Sequence, residues 1–599
     1  MDGLGGGLGG SEEIQSTGRE HHLQGAAANA LSNMAKQHAW AHSAHPRSPS
    51  YLFFSVVALS FLSLIALLIY KVDNFASQTK TIVGHNLEPT PWHLFPPKNF
   101  TDESRHSRAY KIIQCSYLTC RYAATVGGAQ PSEGQEEERR GLVSSRTPPQ
   151  CPNFFKFIYR DLEPWMKTRI SVNHINETKQ HAAFRIVIVE GKLFVDLYYA
   201  CVQSRLMFTL WGILQLIKKY PGMVPDVDMM FDCMDKPTIE RARVENGSLP
   251  LPLFRYCTTE AHFDIPFPDW SFWGWPEVNV EAWDDQFKEI KKGSQAQTWL
   301  KKIPRAYWKG NPDVESPIRL ALMQCNDSNL WGTEIIRQDW AEEAKTGYER
   351  SKLSDQCNYR LLLCDDGPGT LEDYSLRVLN KLGSYKLLEC FDLVSTLFVG
   401  NPSRIFQAVT LAHYKIYAEG YAWSVSLKYI LSCGSLPLLI SPQYEDFFTR
   451  ALVPKLNYWP VSNIDLCRSI KFAVDWGNTN PSQAEAVGKR AQHLMESLSM
   501  NRVYDYMFHL ISEYAKLQDF KPVPPSSAQQ VCEESLLCFA DDKQKEFLKK
   551  SAVTDGSSTP PCTLIKRPNP NFFTIWNDQK RKIIDNVRDM ENRANAAIT

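Results

Sequence analysis

Two short apolar runs in FRIVIVEGKLFVDLYY (184–199) are broken by Glu190 and Gly191, which predicts two strands about a tight turn. The next stretch, CVQSRLMFTLWGILQLIKKY (201–220), predicts a helix, and PDVDMMFDCMDKP (225–237) predicts a short strand that ends in acidic residues. Farther on, GYAWSVSLKYILSC (420–433) predicts a helix, SLPLLI (435–440) a buried strand and YEDFFTRAL (444–452) another helix. AEAVGKRAQHLMESL and RVYDYMFHLISEYAKL, within 481–520, each carry the apolar stripe of a helix. Helix and strand alternating at these spacings is α/β. The expected architecture is two α/β halves facing a cleft, 151–300 and 301–540, followed by a C-terminal tail at 541–599.

One run breaks this pattern. YLFFSVVALSFLSLIALLIY (Tyr51–Tyr70) has twenty residues without a charge and a tyrosine at each edge, which predicts a transmembrane anchor. Before it, 1–50 reads as a disordered cytosolic tail; after it, 71–150 reads as a stem and linker. The N-glycosylation acceptors Asn99, Asn176, Asn246 and Asn326 all follow the anchor, as do all fifteen cysteines. That distribution favours a lumenal, disulfide-permitting compartment for the C-terminal part, as in a single-pass type II protein of the Golgi or endoplasmic reticulum. The ending NAAIT is not a retrieval tetrapeptide, which tilts the expectation to the Golgi. An odd cysteine count implies an unpaired thiol, and no cysteine or histidine spacing suits zinc. With 66 basic and 66 acidic residues among 599, the chain has no basic field for nucleic acid. Its length calls for more than one domain.

Several segments carry candidate chemistry. Asp232 and Asp235 end a predicted strand, where a carboxylate serves as a general base or simply caps a turn. Asp226 and Asp228 match the D-x-D pattern of a metal-binding pair, or alternate along a strand entry. Lys309, after two aromatics and before Gly310, is placed to meet a phosphate or to sit on an exposed turn. The helix predicted from Gly420 opens with small and hydroxylated residues, the composition of an anion-binding or capped N-terminus, and carries Lys428 two turns in. FDIPFPDWSFWGWPE (263–277) is a loop of rings and prolines, read either as core or as a ligand wall.

Taken together, PDVDMMFDCMDKP, FRYCTTEAHFDIPFPDWSFWGWPE, AYWKGNPDVESPIR, the run from YKIYAEGYAWSVSLK to NYWPV, and CRSIKFAVDWGNTNPSQAEAVGKRAQHLM resemble the plant branch of the rumi-type protein O-glucosyltransferases, glycosyltransferase family 90. The resemblance implies two Rossmann-like domains (GT-B type), a UDP-sugar donor, an inverting transfer without a metal or other cofactor, and the secretory pathway. It assigns the catalytic base to Asp235 and diphosphate contact to Lys309. The donor-binding loop falls on Tyr421, Ala422, Trp423, Ser424, Val425 and Ser426, with Glu419 or Asp446 beside the ribose. Trp270, Ser271, Phe272, Trp273 and Gly274 fall on the acceptor and sugar pocket.

The animal enzymes have arginine at the positions of Lys309 and Ser426, a difference that bears on donor sugar and acceptor. Leu361–Ala412 contains no family motif and reads as an insertion or a retained intron. The function expected is transfer of glucose or xylose to a protein or polysaccharide hydroxyl. The alternative is a glycan-binding scaffold of the same fold without turnover.

Overall fold

The computed structural model describes residues 148–244, 249–296, 298–348, 351–357, 412–557 and 559–598, together with Cys120. Outside the described residues lie the Tyr51–Tyr70 run, the tail at 1–50, most of the stem, Asn99, Asn246, and all of the 361–412 segment but Ala412. Among the described residues no helix is long and apolar enough to cross a membrane.

Eleven strands are described: β1 (Phe184–Val189), β2 (Lys192–Leu197), β3 (Val227–Phe231), β4 (Leu253–Arg255), β5 (Ile265–Pro266), β6 (Ile303–Gly310), β7 (Thr333–Arg337), β8 (Ala412–Tyr417), β9 (Leu436–Ile440), β10 (Trp459–Val461) and β11 (Gln529–Val531). The helices used below are α1 (Val172–Thr178), α2 (Arg205–Lys219), α3 (Trp283–Gln295), α4 (Pro317–Met323), α5 (Trp340–Lys345), α6 (Ser426–Ser432), α7 (Leu466–Thr479), α8 (Pro481–Ser497), α9 (Met500–Ala515), α10 (Asp542–Lys550) and α11 (Phe572–Ile598).

They form two sheets, in the orders β11-β2-β1-β3-β4-β5 and β10-β9-β8-β6-β7. The second sheet is parallel throughout. The first is mixed: the β1–β2 hairpin turns at Glu190–Gly191 as its sequence predicts, β1 runs antiparallel to β3, and only β3, β4 and β5 are parallel. The molecule is therefore mixed α/β with two sheets.

The halves do not divide cleanly along the chain. Helix α9 returns to the first half, where Tyr220 Oη donates to Asp505 Oδ1 at 2.6 Å and Gln518 Oε1 accepts from the Asp228 amide at 3.1 Å. Strand β11 then closes the edge of the first sheet against β2. Residues 541–599, read as a tail, carry α10 and the long α11, whose Glu591 accepts from Ser469 of α7 at 2.7 Å. The larger apolar cluster fills the first half and draws in Leu427, Tyr429 and Leu431 of α6. The second lies between the parallel sheet and its helices, around Trp459, Ile470 and Val487.

Two predicted helices change. The one expected over 420–433 begins only at Ser426, because 421–425 is held as a loop: the Ser424 amide donates to Tyr417 Oη at 3.0 Å. The one expected over 444–452 is replaced by a turn with a single 3-10 stretch, Thr449–Ala451. The Asp446 carboxylate accepts there from the amides of Phe448 and Thr449 at 3.0 and 2.9 Å, satisfying locally what a helix would satisfy along its axis.

Candidate active site

Strand β3 and its flanks deliver four carboxylates to the first half, and their surroundings separate them. Asp228 lies within the strand and is buried against Arg185, whose Nε donates to it at 2.8 Å; Asp226 accepts from the Glu190 amide at 2.8 Å. Both carboxylates of the D-x-D pattern thus serve the fold, at the end of β3 away from Asp235. Asp232, just past the strand, pairs with Arg255 and accepts from the Tyr199 hydroxyl, while Arg255 Nε also meets Asp264 at 3.2 Å; these acids have no exposed side-chain surface.

Asp235 differs. Its side chain is 29% exposed, and Arg205 at the start of α2 donates to one of its oxygens at 2.6 Å. The same guanidinium donates to the Cys233 carbonyl at 3.0 Å and lies 4.3 Å from the centroid of Trp270. A disulfide joins Cys201, just before α2, to Cys233, and the Cys257 thiol donates to the Asp235 carbonyl at 3.2 Å. The backbone of this carboxylate is fixed by a covalent link, a thiol and an arginine, while its carboxyl group remains reachable. That is the arrangement a general base needs.

The loop entering α6 meets the residue next to Asp235. Lys236 Nζ lies 3.7 Å from the Tyr421 ring centroid, and Trp423 packs at 5.9 Å from Tyr256 and 6.3 Å from Trp270. Ala422 is fully buried; Ser424 and Ser426, half-buried like Val425, share a hydrogen bond of 2.9 Å between hydroxyls. The two halves are also stitched by paired backbone bonds between Thr258 and Glu445 at 2.8 and 2.9 Å. The segment carrying Asp235 and the loop entering α6 are therefore neighbours.

Other assigned residues take different places. Lys309 ends β6, but its ammonium meets the Glu343 carboxylate of α5 at 2.8 Å and Ser351 at 3.4 Å, so a carboxylate already partners its charge. Glu419 accepts from the amides of Gln443 and Tyr444 at 3.0 and 2.9 Å, joining the loops after β8 and β9; burial pushes its pKa up to about 7 against those hydrogen bonds. Asp446 is buried in its own turn, and burial again pushes the carboxyl up to about 7. Both carboxylates fix loop geometry.

The five residues expected to wall the sugar pocket are all buried. Trp270 reaches the site through Arg205. Ser271 accepts from Lys428 at 2.7 Å, and Lys428 also meets Asp269 at 3.3 Å, a polar lock between the aromatic loop and α6. Burial opposes the charge on Lys428, yet Asp269, Tyr429 and Asp446 hold its pKa above the ordinary lysine value. Phe272 packs on Trp283 and Phe447, and Trp273 turns into the core, where its indole donates to Tyr504 at 2.9 Å. Gly274 has φ +126°, and a Cβ there would meet the Phe547 ring at 2.7 Å. Phe272 and Trp273 thus pack as core, on Trp283 of α3 and Tyr504 of α9 respectively.

Asn176 on α1 and Asn326 are exposed, as acceptor sites require. Disulfides join Cys120 to Cys532, Cys151 to Cys562 and Cys325 to Cys467, and Cys433 and Cys538 are also disulfide-bonded. Cys257 is a free, buried thiol.

Sequence reasoning missed two cations. Arg205 precedes a helical apolar stripe and reads as an ordinary first-turn residue. Arg319, in α4, donates to the Asn311 carbonyl at 2.8 Å, to the Ala418 carbonyl at 3.3 Å and to Ser424 Oγ at 3.3 Å. Only the packing of α4 against the loop after β8 reveals its reach. A cavity of about 460 Å³ lies beyond β9 and β10 beneath α11, lined by Leu427, Gln443, Tyr444, Tyr458 and Lys580 among others.

The profile of Glycosyl transferase family 90 matches residues 146–377 and 401–591. The chain is 22% identical to Protein O-glucosyltransferase 1 of Homo sapiens over 338 residues, 54% of this chain and 71% of that protein. It is 19% identical to O-glucosyltransferase rumi of Drosophila melanogaster over 386 residues, 62% of this chain and 79% of that protein. To the O-glucosyltransferase rumi homolog of Aedes aegypti it is 21% identical over 322 residues, 52% of this chain and 66% of that protein.

Proposed function

The chain belongs to Glycosyl transferase family 90, and from that premise we propose that it is an inverting transferase moving glucose or xylose from a UDP-sugar to a hydroxyl of a protein or polysaccharide. The observation that carries the reading is the open Asp235 carboxylate, held by Arg205 next to Lys236, which touches Tyr421 of the loop before α6. The acceptor hydroxyl gives its proton to Asp235 as its oxygen attacks the anomeric carbon. The bond from that carbon to the UDP oxygen breaks on the opposite face, and UDP leaves with the electron pair. Positioning of base and acceptor supplies much of the rate.

On this reading the fold is of GT-B type, the donor lying between the two sheets. The transfer proceeds without a metal, a reading supported by the engagement of Asp226 and Asp228 in the fold. Tyr51–Tyr70 anchors the protein in the Golgi or endoplasmic reticulum membrane with the catalytic part in the lumen, a placement supported by the disulfides and exposed acceptor asparagines.

The test is incubation of the purified full chain with labelled UDP-glucose and UDP-xylose, with and without a chelator. Release of UDP with inverted sugar product, insensitive to chelation, supports the reading. Absence of hydrolysis and transfer with every UDP-sugar contradicts it and leaves the glycan-binding scaffold.

A further inference from the structure

The order of the second sheet fixes where its crevice opens. From β6 the chain steps to β7 on one side and, later, to β8, β9 and β10 on the other, so the switch point lies between β6 and β8. The loops that leave these two strands carry Asn311 and Ala418–Ser426. Arg319 spans them: one guanidinium nitrogen holds the Asn311 carbonyl, the others hold the Ala418 carbonyl and the Ser424 hydroxyl. Its helix is itself pinned to the same loop, because Ser316 at the cap of α4 accepts from the Arg319 amide at 3.3 Å and donates to the Glu419 carbonyl at 2.7 Å. A Cβ at Gly420 would come within 3.3 Å of the guanidinium, so the chain passes close over it.

The charge of this group lacks the usual answer. Arg185 has Asp228, Arg255 has Asp232 and Asp264, and Arg450 has Asp161 and Glu445. Arg319 has carbonyl and hydroxyl oxygens but no carboxylate among the described residues. Burial lowers its pKa, and Tyr417 is the titratable neighbour that acts on it. A half-buried cation held by neutral dipoles keeps its net charge for an anion. Around it stand Ser424 and Ser426, with Tyr417 Oη bonded to the Ser424 amide. Lys309, the other cation at the ends of these strands, is already paired with Glu343.

We infer that Arg319 is the residue that binds the diphosphate of the nucleotide-sugar donor, its charge and the remaining N–H of Nη1 meeting a phosphate oxygen at the switch point beside Ser424 and Ser426. This rests on the transferase reading above. The guanidinium suits the role because its charge is permanent and its hydrogen bond to a phosphate oxygen is charge-assisted. It is also fixed in place before charge develops on departing UDP.

Binding of UDP, of uridine and of inorganic pyrophosphate to the purified full chain, wild type, Arg319→Gln and Arg319→Lys, tests this by calorimetry. The expected result is that wild type prefers UDP to uridine. Arg319→Gln should lose about tenfold or more for UDP and for pyrophosphate with uridine affinity unchanged. Arg319→Lys keeps the charge but not the set of bonds made by the three guanidinium nitrogens. If the glutamine variant fails to fold, a drop in the UDP-to-uridine ratio in the lysine variant decides the matter. A wild-type protein that binds UDP, with the same UDP-to-uridine ratio in every folded variant, overturns the role of Arg319 and leaves the transferase reading intact. A wild-type protein that does not bind UDP overturns both.

Discussion

Arg205 Nη1 lies 2.6 Å from Asp235 Oδ1, and the same nitrogen holds the Cys233 carbonyl two residues earlier. A helix-borne cation thereby sets both the backbone and the side chain of the candidate base. Arg205 acts through Asp235, as a positioning residue. Replacing it with Gln should lower kcat about 10-fold to 100-fold while the donor KM stays nearly constant, and Lys should restore part of the loss. Steady-state kinetics with thermal melts on the same samples separate this from general destabilisation, which would move the melting temperature without that split.

Glu419 and Asp446 give the fold a pH dependence of definite sign. Both carboxyls are pushed up to about 7, first by burial, so the folded state prefers them protonated. Stability from these groups is complete below the ordinary carboxylate range, falls as pH rises through about 7, and is level above. Melting temperatures from about pH 5 to about pH 8.5 should therefore decline for wild type. Glu419→Gln removes one of the two titrations and should flatten the decline.

Lys428 and Asp269 lock the aromatic loop to α6 with side-chain exposures of 1% and 4%. Lys428→Met strands the Asp269 charge in the interior and should cost about 3 to 5 kcal/mol in denaturant unfolding. Adding Asp269→Asn to that variant should recover part of the loss, because the stranded charge is then gone.

Elements with strong periodicity were readable: the 184–199 hairpin, the helix of Arg205–Lys219, and α8 and α9 follow from apolar spacing alone. The two helices that changed failed for a physical reason. In 420–433 and 444–452, side chains of Tyr417 and Asp446 take up backbone amides that a helix would otherwise satisfy. The site was half legible. The strand-end position of Asp235 and the loop before α6 could be read from the chain, and they do meet. That Asp232 is closed by Arg255 while Asp235 stays open depends on a contact with β4, more than twenty residues later in the chain, and no local pattern encodes it. The partners of Lys309 and the reach of Arg319 are likewise set by sheet topology. The aromatic loop divided along lines that sequence cannot draw: Trp270 lies under Arg205, whereas the Trp273 indole donates to Tyr504 of α9.

If Asp235 is the base of a sugar transfer, Asp235→Asn removes that function alone. The amide keeps the size of the side chain and an oxygen for Arg205, but it cannot accept the acceptor's proton. This variant should bind UDP as wild type does, fold with an unchanged melting temperature and lose transfer to the detection limit. Transfer at a rate near wild type, with the asparagine verified in the protein assayed, would contradict the role of Asp235 as base.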